Sequence, residues 1–550
     1  MILTQDIETK PAPMMTPSSD SDWQTKWQAL AETKAALLTQ TVQVNVAMNA
    51  VLPISHLPPE ILSNIFRLCQ WGAAEVDGGF FSKWISVTHV CHHWREVALH
   101  DPILWSAVSI TASCPVNALA IILARSKQLP LDMHVSLRDV TLVQLPDIVR
   151  AWKLTLRSVW GSQRYTSIPP SAPLLTILHL EVTGGQRMDE EIQPTFFDIC
   201  TTPMLKNLSL SSYALNWSQV VLPSTLTDLC IVYPDPDIPS FTPSCHVQDL
   251  VRVVQVMSSI QHLTFKHVLS YDPSSLGSEP STTFALSHLD TIEIAGHGPP
   301  SLHFLDHFTY LATTSFQLDL HFERPGDVEF AVAPLRRILE IDHRKVDMVT
   351  ISDVEMRFYT QNSTTDSSST TFTRFLSIIL NDLYFYEDLV LCNIVAKLPL
   401  HNISILRLIG EVYLAIVDGA WKTVLKKMPN VKRFSIELFE PLDDRIRVDF
   451  LSVLKPMSLV GEEEIHLLPL LSEVFLEGIV FCDTDEESDC EDPTAVLWLA
   501  DALISRKLAG RQVEKLFLEN CFGLHSEDIK LLEPYTTVRW DGREREPDSP

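Results

Sequence analysis

Glycine is scarce, at 17 of 550 residues. The chain holds no phosphate loop of the Gly-x-x-x-x-Gly-Lys type and no Gly-x-Ser-x-Gly elbow. That removes the commonest nucleotide-binding and serine-hydrolase readings. "GHGPP" at 296–300 has two glycines, but prolines follow where a dinucleotide-binding helix would start. No uninterrupted apolar run reaches about 18 residues, so no membrane span is expected. Basic residues are also short: 42 against 69 acids, a net charge of −27. Such a chain repels phosphates and anionic lipid, so neither nucleic acid nor membrane is expected as a partner. The N-terminal "MILTQDIETKPAPMM" has no basic stretch followed by an apolar core, so no signal peptide is expected. Ten cysteines are scattered without close pairing, which reads as reduced thiols in a cytoplasmic or nuclear protein. The sequons at Asn216, Asn362 and Asn402 are then unused.

What is present is apolar content of 46% and 35 prolines spread along the chain as punctuation between short elements. Residues 1–20 and 541–550 read as disordered tails. A helix is expected over 21–52, capped by Asp20 or Ser21, with Trp23, Trp27, Leu30, Ala31, Leu37, Leu38, Val42 and Val46 at helical spacing. With no sustained heptad, we expect it to pack on its own domain rather than to oligomerise.

"ISHLPPEILSNIFRLCQ", residues 54–70, sets Pro58 and Pro59 in the first turn of a helix, with Glu60 at its positive end. Ile61, Leu62, Ile65, Phe66 and Leu68 form a wide apolar stripe. A second helix is expected across "WISVTHVCHHWREVALHD", its apolar face formed by Val87, Val90, Cys91, Trp94, Val97 and Ala98. His89 and His93 stand four apart, with Glu96 and His100 continuing the same stripe. Zinc hydrolases of the His-Glu-x-x-His type place a glutamate general base after the first histidine, whereas Val90 stands here. We therefore expect a solvated polar face, no bound metal and no cofactor. A metal-dependent hydrolase using His89 and His93 is the enzyme alternative.

These two segments resemble an F-box, in the form found in large fungal F-box families. The matching residues are Leu57-Pro58, Glu60-Ile61-Leu62, Ile65-Phe66, Val87, Val90-Cys91, Trp94 and Leu104-Trp105. The resemblance implies a small helical domain over 53–110 that docks on a Skp-type adaptor and through it on a cullin ubiquitin ligase. The contacts it implies are Leu57, Pro58, Ile61, Leu62, Ile65, Phe66, Val87, Val90 and Trp94, about half of them expected to serve the domain's own core. It implies a non-enzymatic role. An F-box scaffold protein without a ligase role is the alternative within the binding class.

The rest of the chain repeats an apolar-x-x-apolar-x-apolar unit. It occurs in "LLTILHLEV" 174–182, "MLKNLSLSS" 204–212, "TLTDLCIVY" 225–233, "SIQHLTFKH" 259–267 and "HLDTIEIAG" 288–296. It returns in "KVDMVTISD" 345–353, "NISILRLIG" 402–410, "NVKRFSIEL" 430–438, "LLSEVFLEG" 470–478 and "QVEKLFLEN" 512–520. Each unit reads as a short strand whose apolar edge only a neighbouring unit can cover, so units stack. "TFTRFLSIILNDL" and "PTAVLWLADALIS" read as helices between units. The pattern resembles leucine-rich repeats, with the family's asparagine after the strand present only at Asn520. The expected fold class is therefore α plus α/β: a small N-terminal helical F-box domain, then a degenerate leucine-rich-repeat-like solenoid over 111–540. "NSTTDSSSTT" and "DTDEESDCED" read as flexible insertions at 361–371 and 483–493. The latter lacks the glycine and alternating ligands of a calcium loop. The solenoid is expected to bind a protein target.

Overall fold

A computed structural model describes residues 20–74, 84–110, 116–136, 146–159, 170–183, 196–213, 215–234, 245–271, 283–322, 327–340, 345–352, 355–361, 372–381, 394–410, 424–438, 454–457, 465–481 and 495–544. The tail at 1–19, the end of the chain from 545, and the two insertions except Gln361 lie outside the described residues. Contacts divide the chain into two units, Met1–Met133 and His134–Pro550.

The N-terminal unit begins with a 31-residue helix α1, Asp20–Ala50. Its apolar residues do not pack on the domain as expected: Trp23, Trp27, Leu30, Leu37, Leu38, Val42 and Val46 are all exposed. Polar Lys34, Thr41 and Asn45 fall within the same arc of the helix, so no continuous apolar face forms. Helices α2, Pro59–Ala74, and α3, His92–His100, follow. Strand β1, Ala107–Ile110, and helix α4, Val116–Arg125, come next, and strand β2, Leu131–Ser136, runs across the boundary at Met133.

In the C-terminal unit every one of the ten repeat segments carries a strand. With Ala151–Val159 as β3, these are β4 Ile177–Thr183, β5 Asn207–Ser211, β6 Asp228–Val232, β7 His262–Lys266 and β8 Thr291–His297. Strands β9 Ser315–His321, β10 Met348–Ile351, β11 Glu355–Gln361 and β12 Phe372–Asn381 continue the series. It ends with β13 Ile405–Ile409, β14 Arg433–Glu437, β15 Glu473–Glu477, β16 Lys515–Glu519 and β17 Thr537–Trp540. Strands β3 to β9 pair consecutively and in parallel, as do β13 to β17. Between them the order is β9-β12-β11-β10-β13, with β11 antiparallel to both neighbours.

The apolar positions of the pattern explain the sheet. In the segment that carries β15, Leu471, Val474 and Leu476 are buried, and the equivalent three positions of the other nine segments are buried too. Each set lines up with its neighbour, as Leu406↔Phe434↔Val474↔Leu516. The residue after the strand adopts a left-handed conformation at Ser212, His267, Gly410, Gly478 and Asn520, so the same turn recurs. At Gly478 a side chain is also excluded by space, because a Cβ would sit 2.3 Å from the Leu438 carbonyl oxygen.

"TFTRFLSIILNDL" contains a strand, β12, and not the expected helix. Phe375, Leu376, Ser377 and Ile378 are buried in succession, as in a central strand covered on both faces. "PTAVLWLADALIS" does form a helix, Ala495–Leu508. Among the other helices, Val247–Gln255 and Val328–Glu340 carry, like it, an arginine that reaches back to carbonyls of an earlier loop or helix end. Arg252 donates to Trp217 and Val220, and Arg337 to Leu305 and Asp306. Arg506 donates to Leu467 at 3.0 Å and Leu468 at 2.6 Å. Burial lowers the Arg506 pKa to about 10, and the carbonyl oxygens supply acceptors for a cation shut off from water.

Candidate docking surface

Helix α2 starts as its prolines dictate. Pro59 occupies the first helical position, where no N–H is needed, and the Pro58 carbonyl accepts from the Ile61 and Leu62 amides at 3.0 and 3.2 Å. The helix then separates its apolar residues between two faces. Leu62 and Phe66 are each 0% exposed. Ile61 is 46% exposed and Leu68, about two turns further on, 63%. Ile65 is half-buried between them, so Ile61, Ile65 and Leu68 form an open stripe at i, i+4, i+7.

The buried face is clamped by aromatics and one carboxylate. The Phe66 ring lies 5.2 Å from Trp94, and Trp84 meets Trp105 edge-on at 5.1 Å. The Trp105 indole donates to the Ala98 carbonyl at 2.8 Å, and the Gln70 amide to Leu104 at 3.1 Å. Asp101, just past α3, accepts from the Ser63 hydroxyl, from Arg67 Nε at 3.1 Å and from the Ile103 amide at 3.0 Å. A largely buried carboxylate thus ties α2 to the end of α3 through charge-assisted bonds.

The expected single second helix is broken. Trp84–His89 is a 3-10 turn, and α3 begins only at His92, with Cys91 as its extended N-cap. The Cys91 sulfur accepts from the Trp94 amide at 3.5 Å, so the thiol caps the helix and is half-exposed, not turned into the core. Val90 sits at the break and is 54% exposed. Val87 is buried, while Trp94 and Leu57 are half-buried. Of the nine residues expected at the adaptor, Leu62, Phe66 and Val87 therefore belong to the core. Pro58, Ile61 and Val90 are open, and Leu57, Ile65 and Trp94 lie at the boundary. Leu68 and the exposed Ile103 were not among the nine. Helical spacing from Ile61 points to Leu68.

The break also removes the one-turn relation of His89 and His93. His93 lies on α3 and His89 on the preceding turn. His92 and His100, on α3 itself, face Glu96 across exposed contacts at 3.9 and 3.5 Å. Among the described residues, no group of three or more His, Cys, Asp or Glu is placed to hold a metal. Burial pushes the Cys200 thiol up to about 11 and the Cys521 thiol up to about 12, which keeps both protonated and poor as nucleophiles.

A model of the F-box-like family matches residues 54–111. This segment is an F-box-like domain. The match covers both faces of α2, the break at Cys91 and the Asp101 clamp. F-box domains typically act as adaptor modules and not as enzymes. A comparison with curated proteins finds no match to the chain. Among the described residues, no helix is long and apolar enough to cross a membrane.

Proposed function

We propose that the chain is a substrate-recognition adaptor of a cullin-type ubiquitin ligase. Its F-box-like domain docks on a Skp-type adaptor through Ile61, Ile65, Leu68 and Val90, with Pro58, Leu57 and Trp94 at the margin. The observation that carries this is the exposure of Ile61 and Val90 beside a fully buried Leu62 and Phe66. Large apolar residues left open on one side of a well-packed domain mark an interface.

The C-terminal unit is, in this reading, a leucine-rich-repeat-like solenoid that holds the protein target. The recurrent left-handed residue after the strand and the in-register apolar positions support stacked repeats. The antiparallel meander β10–β11–β12 interrupts the array without breaking its sheet. Asn520 fits a degenerate array. Its side chain donates to Glu477 of the neighbouring strand at 3.1 Å.

Reconstitution tests the reading. The full chain, a Skp-type adaptor, a cullin with its RING subunit and the ubiquitin-charging enzymes are combined, and ubiquitin transfer to the chain itself is followed. Transfer that requires both the adaptor and an intact Ile61 and Val90 supports the reading. Assembly with the adaptor but no transfer under any condition rejects the ligase role and leaves a scaffold.

A further inference from the structure

The outward positions of the sheet form one row from strand to strand. Through β3 to β9 the row reads Thr155, His179, Ser209, Cys230, Thr264, Glu293 and Gln317. Across β13 to β17 it reads Arg407, Ser435, Phe475, Phe517 and Arg539. Large aromatic side chains stand side by side in this row only at Phe475 and Phe517.

These two rings are stacked at 4.0 Å with 4° between planes, and both are half-exposed. The Arg433 guanidinium lies 4.9 Å from the Phe475 centroid and that of Arg539 lies 5.5 Å from Phe517. The outer ring faces are thus covered by cations, and the ring edges are left as the apolar contact. Arg433 is neutralised by Glu473 at 2.6 Å, which Lys515 also reaches at 2.8 Å.

The charge changes sign along the strands. At their C-terminal ends the register brings Glu437, Glu477 and Glu519 side by side, and Asp541 follows Trp540 on the last strand. Arg407 takes both oxygens of Glu437, at 2.7 and 2.8 Å, whereas Glu519 and Asp541 are exposed. Asp541 accepts backbone amides from Asn520 and Arg543. Three carboxylates therefore lie on adjacent strands about 4.8 Å apart, spanning roughly 10 Å, the reach of about three residues of extended chain.

We propose that this end of the sheet binds an extended basic segment of the target, its Lys or Arg residues against Glu477, Glu519 and Asp541 and an apolar side chain on the edges of Phe475 and Phe517. The inference rests on the target-binding reading of the C-terminal unit. Charge complementarity selects the occupant, since the acidic row meets a basic chain and the net charge of −27 draws one in.

The test is fluorescence anisotropy on the full chain with a labelled ten-residue peptide of alternating lysine and leucine. The wild type binds it, and binding weakens with salt. Glu477→Lys with Glu519→Lys weakens it at least tenfold. Phe475→Ser with Phe517→Ser weakens it at least fivefold at unchanged net charge. Asp22→Lys with Glu32→Lys on α1 changes net charge as much as the glutamate pair but alters binding less than twofold. Equal weakening by the α1 pair, unchanged binding in the phenylalanine pair, or no binding by the wild type overturns the proposal. Adaptor capture by the same proteins is read separately, so failure of the ligase reading leaves a different signature.

Discussion

On ten strands of the C-terminal unit, all three apolar positions of the repeat are buried, down to Leu406, Val474 and Leu516 at full burial. On α2 of the N-terminal unit, adjacent apolar residues part ways, Leu62 inside and Ile61 in solvent. A stacked array leaves its repeat positions open only at its ends, because each unit's are covered by the next. A small domain that must meet a partner keeps some of its apolar residues open and holds its fold with the remainder. The exposed residues of α2 and of the break at Val90 therefore report function, whereas the repeat positions report stability.

The sharpest way to break this contrast is to cut neighbouring residues on α2. Leu62→Ala should cost about 2–5 kcal/mol, read by denaturant unfolding of the N-terminal unit. Ile61→Ala should cost no more than about 0.5 kcal/mol by the same measurement. Equal losses would mean that the two faces are not distinct. Next in size, Arg506→Met should cost about 1–3 kcal/mol, since it strands the Leu467 and Leu468 carbonyls in a buried site. A neutral result would show that water reaches those oxygens.

Much of this was legible. The apolar-x-x-apolar-x-apolar unit marked ten strands, because an inward-facing alternation leaves its trace in sequence. Strand β12 was not legible as a strand. Burial on both faces gives a continuous apolar run, which periodicity cannot tell from a buried helix. The break at Cys91 was hidden for the opposite reason. Val87, Val90 and Trp94 keep helical spacing in the sequence even though the chain between them does not stay helical. The division of the F-box-like residues between core and surface needed the packing of Trp84, Trp94 and Trp105. Arg506 stands in the last turn of its helix, where a cation is unremarkable in sequence, and only the fold places backbone carbonyls against it. For α1, spacing alone suggested a packed helix, and the fold leaves it exposed.

Two smaller effects sharpen the comparison. Hydrogen bonds from Lys515 and Arg433 hold the Glu473 carboxyl below its ordinary pKa. Its folded value is thus under its unfolded one, so its contribution is complete above the ordinary carboxylate range and is lost as pH falls through the lowered value. Glu473→Gln should flatten the acid side of the stability–pH curve of the C-terminal unit, read by thermal melts from neutral pH downward. An unchanged acid limb would contradict the assignment. Smallest of all, mass spectrometry and elemental analysis of purified full chain should find no stoichiometric zinc, since His89 and His93 lie on separate elements. One tightly held equivalent, lost in His93→Ala, would reverse that conclusion.

The central claim is that the open stripe on α2 and the valine at the helix break form one docking surface. Isothermal titration of a purified Skp-type adaptor into the full chain measures it directly, using wild type, Ile61→Asp and Val90→Asp, each checked for native circular dichroism. The account predicts saturable one-to-one binding by the wild type and at least a thirtyfold loss in each variant, about 2 kcal/mol or more, as for a central interface residue. Wild-type affinity in both folded variants would contradict it.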